Sequence, residues 1–333
     1  MQLPILSSAP DKAMALYATG FNAWNQLNFE SSPTDREPDD LFAFAKALTD
    51  KTIGYIVPKI NFTAGKYYVR ITQNNTWFFA GSHLGNLLYR EANTCLFDSP
   101  NAESGDGKVL NGQGSSIVQY TSLAAWKANK CTETWPCESP VRQIEAYDTG
   151  FVILLENGTV LGCGDTRFRD CLGREVDESS PAHVPNAVED LNDLGESIKK
   201  VSAGGYTIGA LTESGGIYLW GMKPPGSQSR HAAFTDLGPI PSYVEVDGDK
   251  DVQDFAIGES HAIALTTDGC IYVIGDNTNG QIGLGESVKE SALWSKIDFI
   301  LPPGEEVVAV EAGPRASFII TAKMQSKQCQ SSE

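Results

Sequence analysis

The chain has 333 residues, 41% of them hydrophobic and 20% charged, a balance that supports a buried core and excludes a disordered chain or a fibre. Its 25 basic residues against 42 acidic ones leave a net charge of −17, which argues against direct nucleic-acid binding, because phosphate contacts need clustered Lys and Arg. The 32 glycines and 17 prolines mark a chain of many short strands joined by turns.

In chain order, the weak apolar stretch Met1 to Leu6 meets Asp11 and Lys12 before a secretory core forms, and no run approaches the roughly 18 apolar residues of a membrane span. A cytoplasmic or nuclear protein without membrane contact is expected. Ala15 to Gly20 followed by Phe21 to Leu27 reads as a third strand and its exit loop, lacking two strands before it. Asp39 to Leu48 is expected to form a short helix, capped by Asp39 or Asp40, with Leu41, Phe42, Ala45 and Leu48 on one side.

A repeat then organises the chain. The segments Asn61 to Gly81, Ile144 to Gly164, Val201 to Gly221 and Phe255 to Gly275 share one frame without gaps. The last three closing glycines lie 57 and 54 residues apart, a period in the range of propeller blades. Each unit reads as three strands: a short one ending near Ala203 or Ile257, a second such as Ala262 to Thr266, and a third such as Cys270 to Ile274. Asp-Gly, Asn-Gly and Ser-Gly at the second turn supply the positive φ of a tight hairpin. The near-continuous apolar runs suit strands covered on both faces.

Val109 to Tyr120, running on to Ala125 and Trp126, fits the frame poorly; it is either a degenerate sixth blade or an insertion in a five-bladed ring. Val307 to Thr321 supplies the first two strands of a unit that Ala15 to Gly20 completes, so pairing residues 15–20 with 307–321 closes the ring and removes an unpaired edge. The expected architecture is all-β: one propeller domain over residues 1–333, with five clear blades, a degenerate sixth, and a polar tail at 325–333.

The run Ile271-Tyr-Val-Ile-Gly-Asp-Asn-Thr-Asn-Gly-Gln-Ile-Gly-Leu-Gly285 resembles the signature of the regulator of chromosome condensation repeat family. Leu16 to Leu27 is a second copy, and Gly164 to Gly173 and Gly81 to Leu88 are looser ones. The signature tryptophan is replaced by Ile274, Cys163, Ala80 and Thr19, and Met222 to Gly226 replaces the whole loop. The chain is most similar to smaller single-propeller members, of the fungal α-tubulin suppressor type or the type that partners a histone demethylase. The signature itself reads as scaffold: Gly275, Gly280 and Gly283 permit a tight exit loop, while Asn277 and Gln281 bond backbone groups. The resemblance implies several kinds of protein partner: a small GTPase undergoing nucleotide exchange, a small metal-carrying protein, or a chromatin enzyme.

Catalytic chemistry is thin. Four histidines exist, at 83, 183, 231 and 261. Gly258 to Ala262 approaches a nucleophile elbow around Ser260 and His261, but Ala262 breaks the glycine pattern and the flanks are both strands. His261 stands in a repeat column with Tyr67, Gly150, Thr207 and Ala316, where members of the resembling family often carry histidine, which favours a structural hydrogen-bonding role. Asp247 to Asp251 has the alternating carboxylates of a calcium loop, but Val252 and Gly258 stand where its glycine and glutamate should be. Gly112-Gln-Gly114 leads into a strand and not into the helix of a phosphate loop. Neither a catalytic nor a metal site is assigned, and no cofactor is expected. Seven scattered cysteines read as free thiols, and the spacing of Cys131 and Cys137 matches no common zinc pattern; whether those two pair is left open. Three glycosylation triplets, at Asn61, Asn74 and Asn157, read as turn and strand-end residues.

Two surfaces remain. Links between first and second strands must emerge on one face of the ring, which should gather Lys66, Asp148, Tyr206, Glu259 and Arg315, with His261 beside them, into a partner-binding face. The alternative is a set of ordinary solvated turns. The link containing Glu175, Asp177, Glu178, Glu189, Asp190, Asp193 and Glu196 has few opposing cations and suits a basic partner, or is a solvated face. A monomeric interaction propeller serving as adaptor or regulatory subunit is expected, with guanine-nucleotide exchange as the rival reading.

Overall fold

A computed structural model describes residues 14–23, 25–27, 39–51, 55–61, 66–73, 76–81, 88–89, 100–225, 234 and 237–323, with side chains omitted for 48–51 and 55–89. The described strands form six antiparallel sheets of four strands each. Blade one comprises Tyr55–Asn61, Lys66–Gln73, Thr76–Gly81 and Leu88–Tyr89. Blade two comprises Asn101–Glu103, Val109–Gly112, Ser116–Tyr120 and Glu133–Pro136. Blade three is Val141–Tyr147, Gly150–Leu155, Val160–Gly164 and Asn186–Ala187. Blade four is Ile198–Gly204, Thr207–Thr212, Ile217–Gly221 and Ser242–Val244. Blade five is Val252–Ile257, His261–Thr266, Ile271–Asp276 and Glu290–Lys296. The closing blade takes Glu305–Gly313 and Ala316–Lys323 from one end of the chain, and Met14–Gly20 and Leu41–Lys51 from the other.

The expected ring closure is present: Met14–Gly20 pairs with the strand from Ala316, running from Met14 opposite Ala322 to Gly20 opposite Ala316 without a register break. The segment from Val109 is a genuine sixth blade. It departs from the frame because a short helix, Leu123–Lys127, replaces the signature loop, and Trp126 on that helix fills a small core with Val109, Val118 and Tyr120.

Two expectations need correction. Blades have four strands and not three. Several outer strands, such as Asn186–Ala187 and Ser242–Val244, are only two or three residues long and carry no apolar period, and the seven-residue Glu290–Lys296 has no buried residue. Second, Asp39 to Leu48 contains no helix; Leu41–Lys51 is the outer strand of the closing blade, paired antiparallel with Met14–Gly20. Tertiary pairing overrides local propensity here, because this strand covers an edge that would otherwise leave backbone groups unpaired. Asp40 accordingly caps no helix. Its Oδ1 accepts from the Asn22 backbone N–H at 2.8 Å and its Oδ2 from Asn279 Nδ2 at 2.8 Å, tying the outer strand to two signature loops.

The hairpin turns follow the sequence. Gly269, with φ of +80°, stands at the turn after Asp268, whose Oδ1 accepts from the Cys270 N–H at 3.2 Å. Apolar residues fill the spaces between blades: Leu211, Leu219, Phe255, Ile257, Ala264 and Tyr272 join blades four and five, and Ala256, Ile263, Val273, Val310 and Ile319 join blade five to the closing blade.

In blades three, four and five, polar residues one step before the apolar centre of the first strand clasp the next blade. Gln143 Oε1 accepts from the Val201 N–H at 3.1 Å, Lys200 Nζ lies 2.6 Å from Asp254 Oδ1, and Asp254 Oδ2 accepts from the Val310 N–H at 2.9 Å. Cys131 and Cys137 are both free and flank Glu133–Pro136. Six steps of extended chain separate their α-carbons by about 20 Å, far beyond the roughly 7 Å limit of a disulfide. Cys95, Cys329, His83, His231 and the tail at 325–333 lie outside the described residues.

Candidate interaction face

The signature loops are scaffold. In the copy at Asn277, Nδ2 donates to Gly285 O at 3.0 Å and Val288 O at 2.8 Å, while Oδ1 accepts from the Ile282 N–H at 3.1 Å. Asn22 repeats this, accepting from the Leu27 N–H at 3.0 Å. Gly283, with φ of +67°, is held because a Cβ there would lie 2.8 Å from the Phe44 ring.

The departures from the signature tryptophan have a physical pattern. Trp220 Nε1 donates to Cys171 O at 3.1 Å in the loop of blade three, and Thr19 in the same column donates to Gly280 O at 2.7 Å in the loop of blade five. Ile274 and Cys163 follow blades four and two, whose sequences do not carry the signature loop. Ala80, following the closing blade's loop, breaks the pattern.

Because strands alternate in direction, first links and signature loops leave one face of the ring. Backbone bonds join the first links of blades two and three, of three and four, and of five and the closing blade. The Gly105 N–H donates to Tyr147 O at 3.3 Å, Asp148 N–H to Gly205 O at 3.0 Å, and Glu259 N–H to Pro314 O at 3.0 Å. Asp148, Tyr206, Glu259 and Arg315 therefore sit on consecutive members of one ring. Arg315 Nε lies 3.3 Å from Glu259 Oε2, with both side chains about half exposed. The Tyr206 ring meets Phe168 of a signature loop at 5.5 Å between centroids. Lys66 opens its strand opposite Asn61, and its side chain lies outside the described residues.

His261 does not reach this face. It is fully buried, with Nε2 3.3 Å from Ala316 O in the closing blade and Nδ1 without a partner among the described residues. Burial lowers its pKa to about 4. Ser260 is buried beside it, so the Gly258 to Ala262 run presents no open nucleophile. Since the folded pKa lies below the unfolded value near 6.5, stability from the neutral imidazole is complete above pH 6.5 and is lost as pH falls towards 4. A His261→Asn protein, compared by urea unfolding, should lose about 3 kcal/mol less than wild type between pH 7 and 4. Equal losses in both proteins would refute this assignment.

A pit of about 160 Å³ opens at the centre of the ring, lined by the first strands and links of blades two to five and the closing blade. Glu103, Glu145, Asp148 and Glu259 line it. Burial, reinforced by Glu259, raises the Asp148 carboxyl to about 6. Glu311 is fully buried in the closing blade's first strand, and its carboxyl is pushed up to about 8 by burial, with Lys200 opposing and Glu145 and Asp254 adding to the rise. Its Oε1 accepts from the Ala312 N–H at 3.0 Å, and its Oε2 has no partner among the described residues. Sequence reasoning missed this axial group, although Gln143, Lys200 and Asp254 share one column of the repeat and Glu145 and Glu311 share the column two residues on.

The acidic link is divided by the short outer strand Asn186–Ala187. Glu175, Asp177 and Glu178 precede that strand and Glu189, Asp190 and Asp193 follow it, so the two groups leave opposite ends of the blade. All six are exposed. Asp177 is partly committed to its own turn, accepting from the N–H groups of Ser179 at 2.7 Å and Ser180 at 2.8 Å. Arg174 serves the loop carbonyls of Gly162, Pro181 and Val184 and none of these carboxylates. The loop Asp247 to Asp251 is likewise self-satisfied: Tyr272 donates to Asp247 and Tyr243 to Asp249, and Lys250 pairs with Asp268 at 2.9 Å.

Residues 252–281 match the family model for the regulator of chromosome condensation (RCC1) repeat. Over 94% of its length the chain superposes on human WBSCR16, covering all of that structure with a TM-score of 0.59 at 14% identity. The chain has an RCC1-like propeller fold. Prp20p from Saccharomyces cerevisiae shares the same architecture, with a TM-score of 0.54 at 11% identity over 97% of this chain and 94% of that one. The mouse regulator of chromosome condensation is 33% identical over 153 residues, which are 44% of this chain and 34% of that protein. The propeller thus spans about a third of the length of this curated relative.

Proposed function

We infer that this RCC1-like propeller is a non-enzymatic interaction module, an adaptor or regulatory subunit, which docks a protein partner on the face formed by its first links. The observation that supports it is the partly backbone-stitched ring carrying Asp148, Tyr206, Glu259 and Arg315: four unlike side chains, including an aromatic and an arginine of the kind that anchor interfaces, on rigid short links. The net charge of −17 favours a basic partner surface and fast, salt-dependent association. The test is affinity capture with the intact chain beside Tyr206→Ala and Arg315→Glu proteins. A specific partner should be retained by wild type and lost from both variants, with thermal unfolding unchanged; a partner surviving both substitutions would move the site away from this face.

Guanine-nucleotide exchange on a small GTPase is the second reading, favoured by the likeness to Prp20p, which is described by its binding to Gsp1p and histones. It predicts accelerated release of labelled GDP from a cognate small GTPase. An unchanged release rate across candidate GTPases would exclude it and leave the adaptor role.

A further inference from the structure

We propose that the outer rim of blade five is a self-association surface, on which a second copy of this chain docks antiparallel about a two-fold axis at Leu293. This rim is the strand of its blade farthest from the first strand, so it is separate from the first-link face, and a dimer replaces the monomer expected from the sequence.

The rim is built as a knob. In the outer strand Glu290–Lys296, Ser295 stands opposite Val273 and Ser291 opposite Gly275, which leaves Ala292, Leu293 and Trp294 against the single residue Ile274. Two surplus residues push the chain outward as a bulge. The bulge is pinned from within: the Ser291 hydroxyl donates to Leu293 O at 2.7 Å, the Ser295 hydroxyl donates to the same carbonyl at 3.2 Å, and Trp294 packs on the cluster between blades four and five. Leu293 is left 78% exposed at the tip. Held there, its side chain adds little to the fold and gains free energy only when another surface covers it. The other exposed large apolar side chains among the described residues are Ile240 and Tyr243, at the outer strand of blade four, and Ile300, in the link after blade five. Apolar exposure is thus concentrated on this stretch of rim, as at an interaction surface.

The charge pattern selects the occupant. Counted outward from Leu293, the strand carries Ser291 and Ser295 at equal distances and then Glu290 and Lys296, opposite in charge. Both charged residues are exposed, and neither has an ion-pair partner among the described residues; the Lys296 ammonium meets the Cys270 thiol. An antiparallel second copy sets Leu293 on Leu293 and each Glu290 opposite the other copy's Lys296, so two ion pairs flank one apolar contact. A parallel copy would set like charges opposite each other. The bulge also limits the assembly. It interrupts the backbone edge, so the copies meet through side chains and not through a continuing ladder, and the two-fold contact uses up the patch. A contact this small gives a weak dimer in exchange with monomer.

Sedimentation velocity of the full chain, over a concentration series reaching about 1 mM, measures the association. Wild type should pass from monomer to dimer with no larger species. Leu293→Ser should remain monomeric, and Glu290→Lys and Lys296→Glu should each weaken association about tenfold, with thermal unfolding unchanged in all three. An equimolar mixture of the two charge-reversed proteins should regain the dimer, because each then presents the charges that the other lacks. A wild-type monomer throughout the series, association indifferent to Leu293→Ser, or a mixture that does not recover would overturn the proposal. Capture of a different protein through Leu293, by a chain that never pairs with itself, would overturn it equally.

Discussion

Replacing Glu311 with glutamine should stabilise the protein at pH 8 by up to about 5 kcal/mol and leave it nearly unchanged at pH 4.5, because the advantage follows the proton that the buried carboxyl retains. The folded carboxyl titrates near 8 and the unfolded one near 4.5, so below pH 4.5 both states are protonated and burial carries no ionic penalty. As pH rises from 4.5 to 8, the unfolded chain ionises while the folded one does not, and stability falls steadily. Above pH 8 the folded protein must hold a charge in a site where Oε2 has no partner. Glutamine keeps an acceptor for the Ala312 N–H and never ionises. Urea unfolding of both proteins at pH 5 and 8 measures the difference, and an equal gap at the two values would show that Glu311 is not the titrating group.

Trp220→Ala should cost about 3–5 kcal/mol, the range for emptying a buried aromatic site. Trp220 is almost completely buried in the cluster that joins blades three and four, where it packs with Leu191, Val201 and Ile208. Its indole N–H is also the donor for Cys171 O, so truncation leaves a buried carbonyl unpaired. Trp220→Phe should recover most of the packing and none of the hydrogen bond, and the residual loss, about 1–2 kcal/mol, measures the bond to the blade-three loop. Denaturant midpoints with unchanged m-values would report this. A loss below 1 kcal/mol for alanine would mean that the loop is held by other contacts.

How far the sequence could be read follows from which residues carry a period. The inner three strands of each blade were legible because apolar runs such as His261–Thr266 and Ile271–Asp276 are bounded by a turn with Gly269, and because closing glycines recur at a fixed spacing. Outer strands such as Asn186–Ala187 and Ser242–Val244 were not, since two or three residues have nothing to alternate. Leu41, Phe42, Ala45 and Leu48 fit a helical stripe, while Phe42 and Phe44 fit an alternating one equally well. The choice was made by the edge of Met14–Gly20, some twenty residues away.

The first-link ring was legible in part. Alternating strand direction and the common frame are enough to gather Asp148, Tyr206, Glu259 and Arg315 on one face. The column reading of His261 as a structural hydrogen-bonding residue agrees with its buried ring and its contact with Ala316 O, whereas its placement beside the partner face does not, because frame position specifies a residue's place along the strand but not whether its side chain turns inward. The axial carboxylates were overlooked because Glu145 and Glu311 interrupt apolar strands, and such interruptions look like solvent-facing positions until strands from successive blades converge on one axis.

The pairing of Met14–Gly20 with Ala316–Lys323 sets a waiting time for biosynthesis. At roughly 5–20 residues per second, the ribosome needs about 15–60 seconds to make the partner of a strand that lies roughly 300 residues earlier in the chain. Throughout that interval Leu16, Tyr17 and Ala18, all buried in the finished protein, can pair with Leu41–Lys51 but lack the cover of Phe318, Ile319 and Ile320. Nascent chains of this propeller should therefore engage holding chaperones early and release them only after residue 323 emerges, and a circularly permuted gene that makes the two strands adjacent should shorten that dependence.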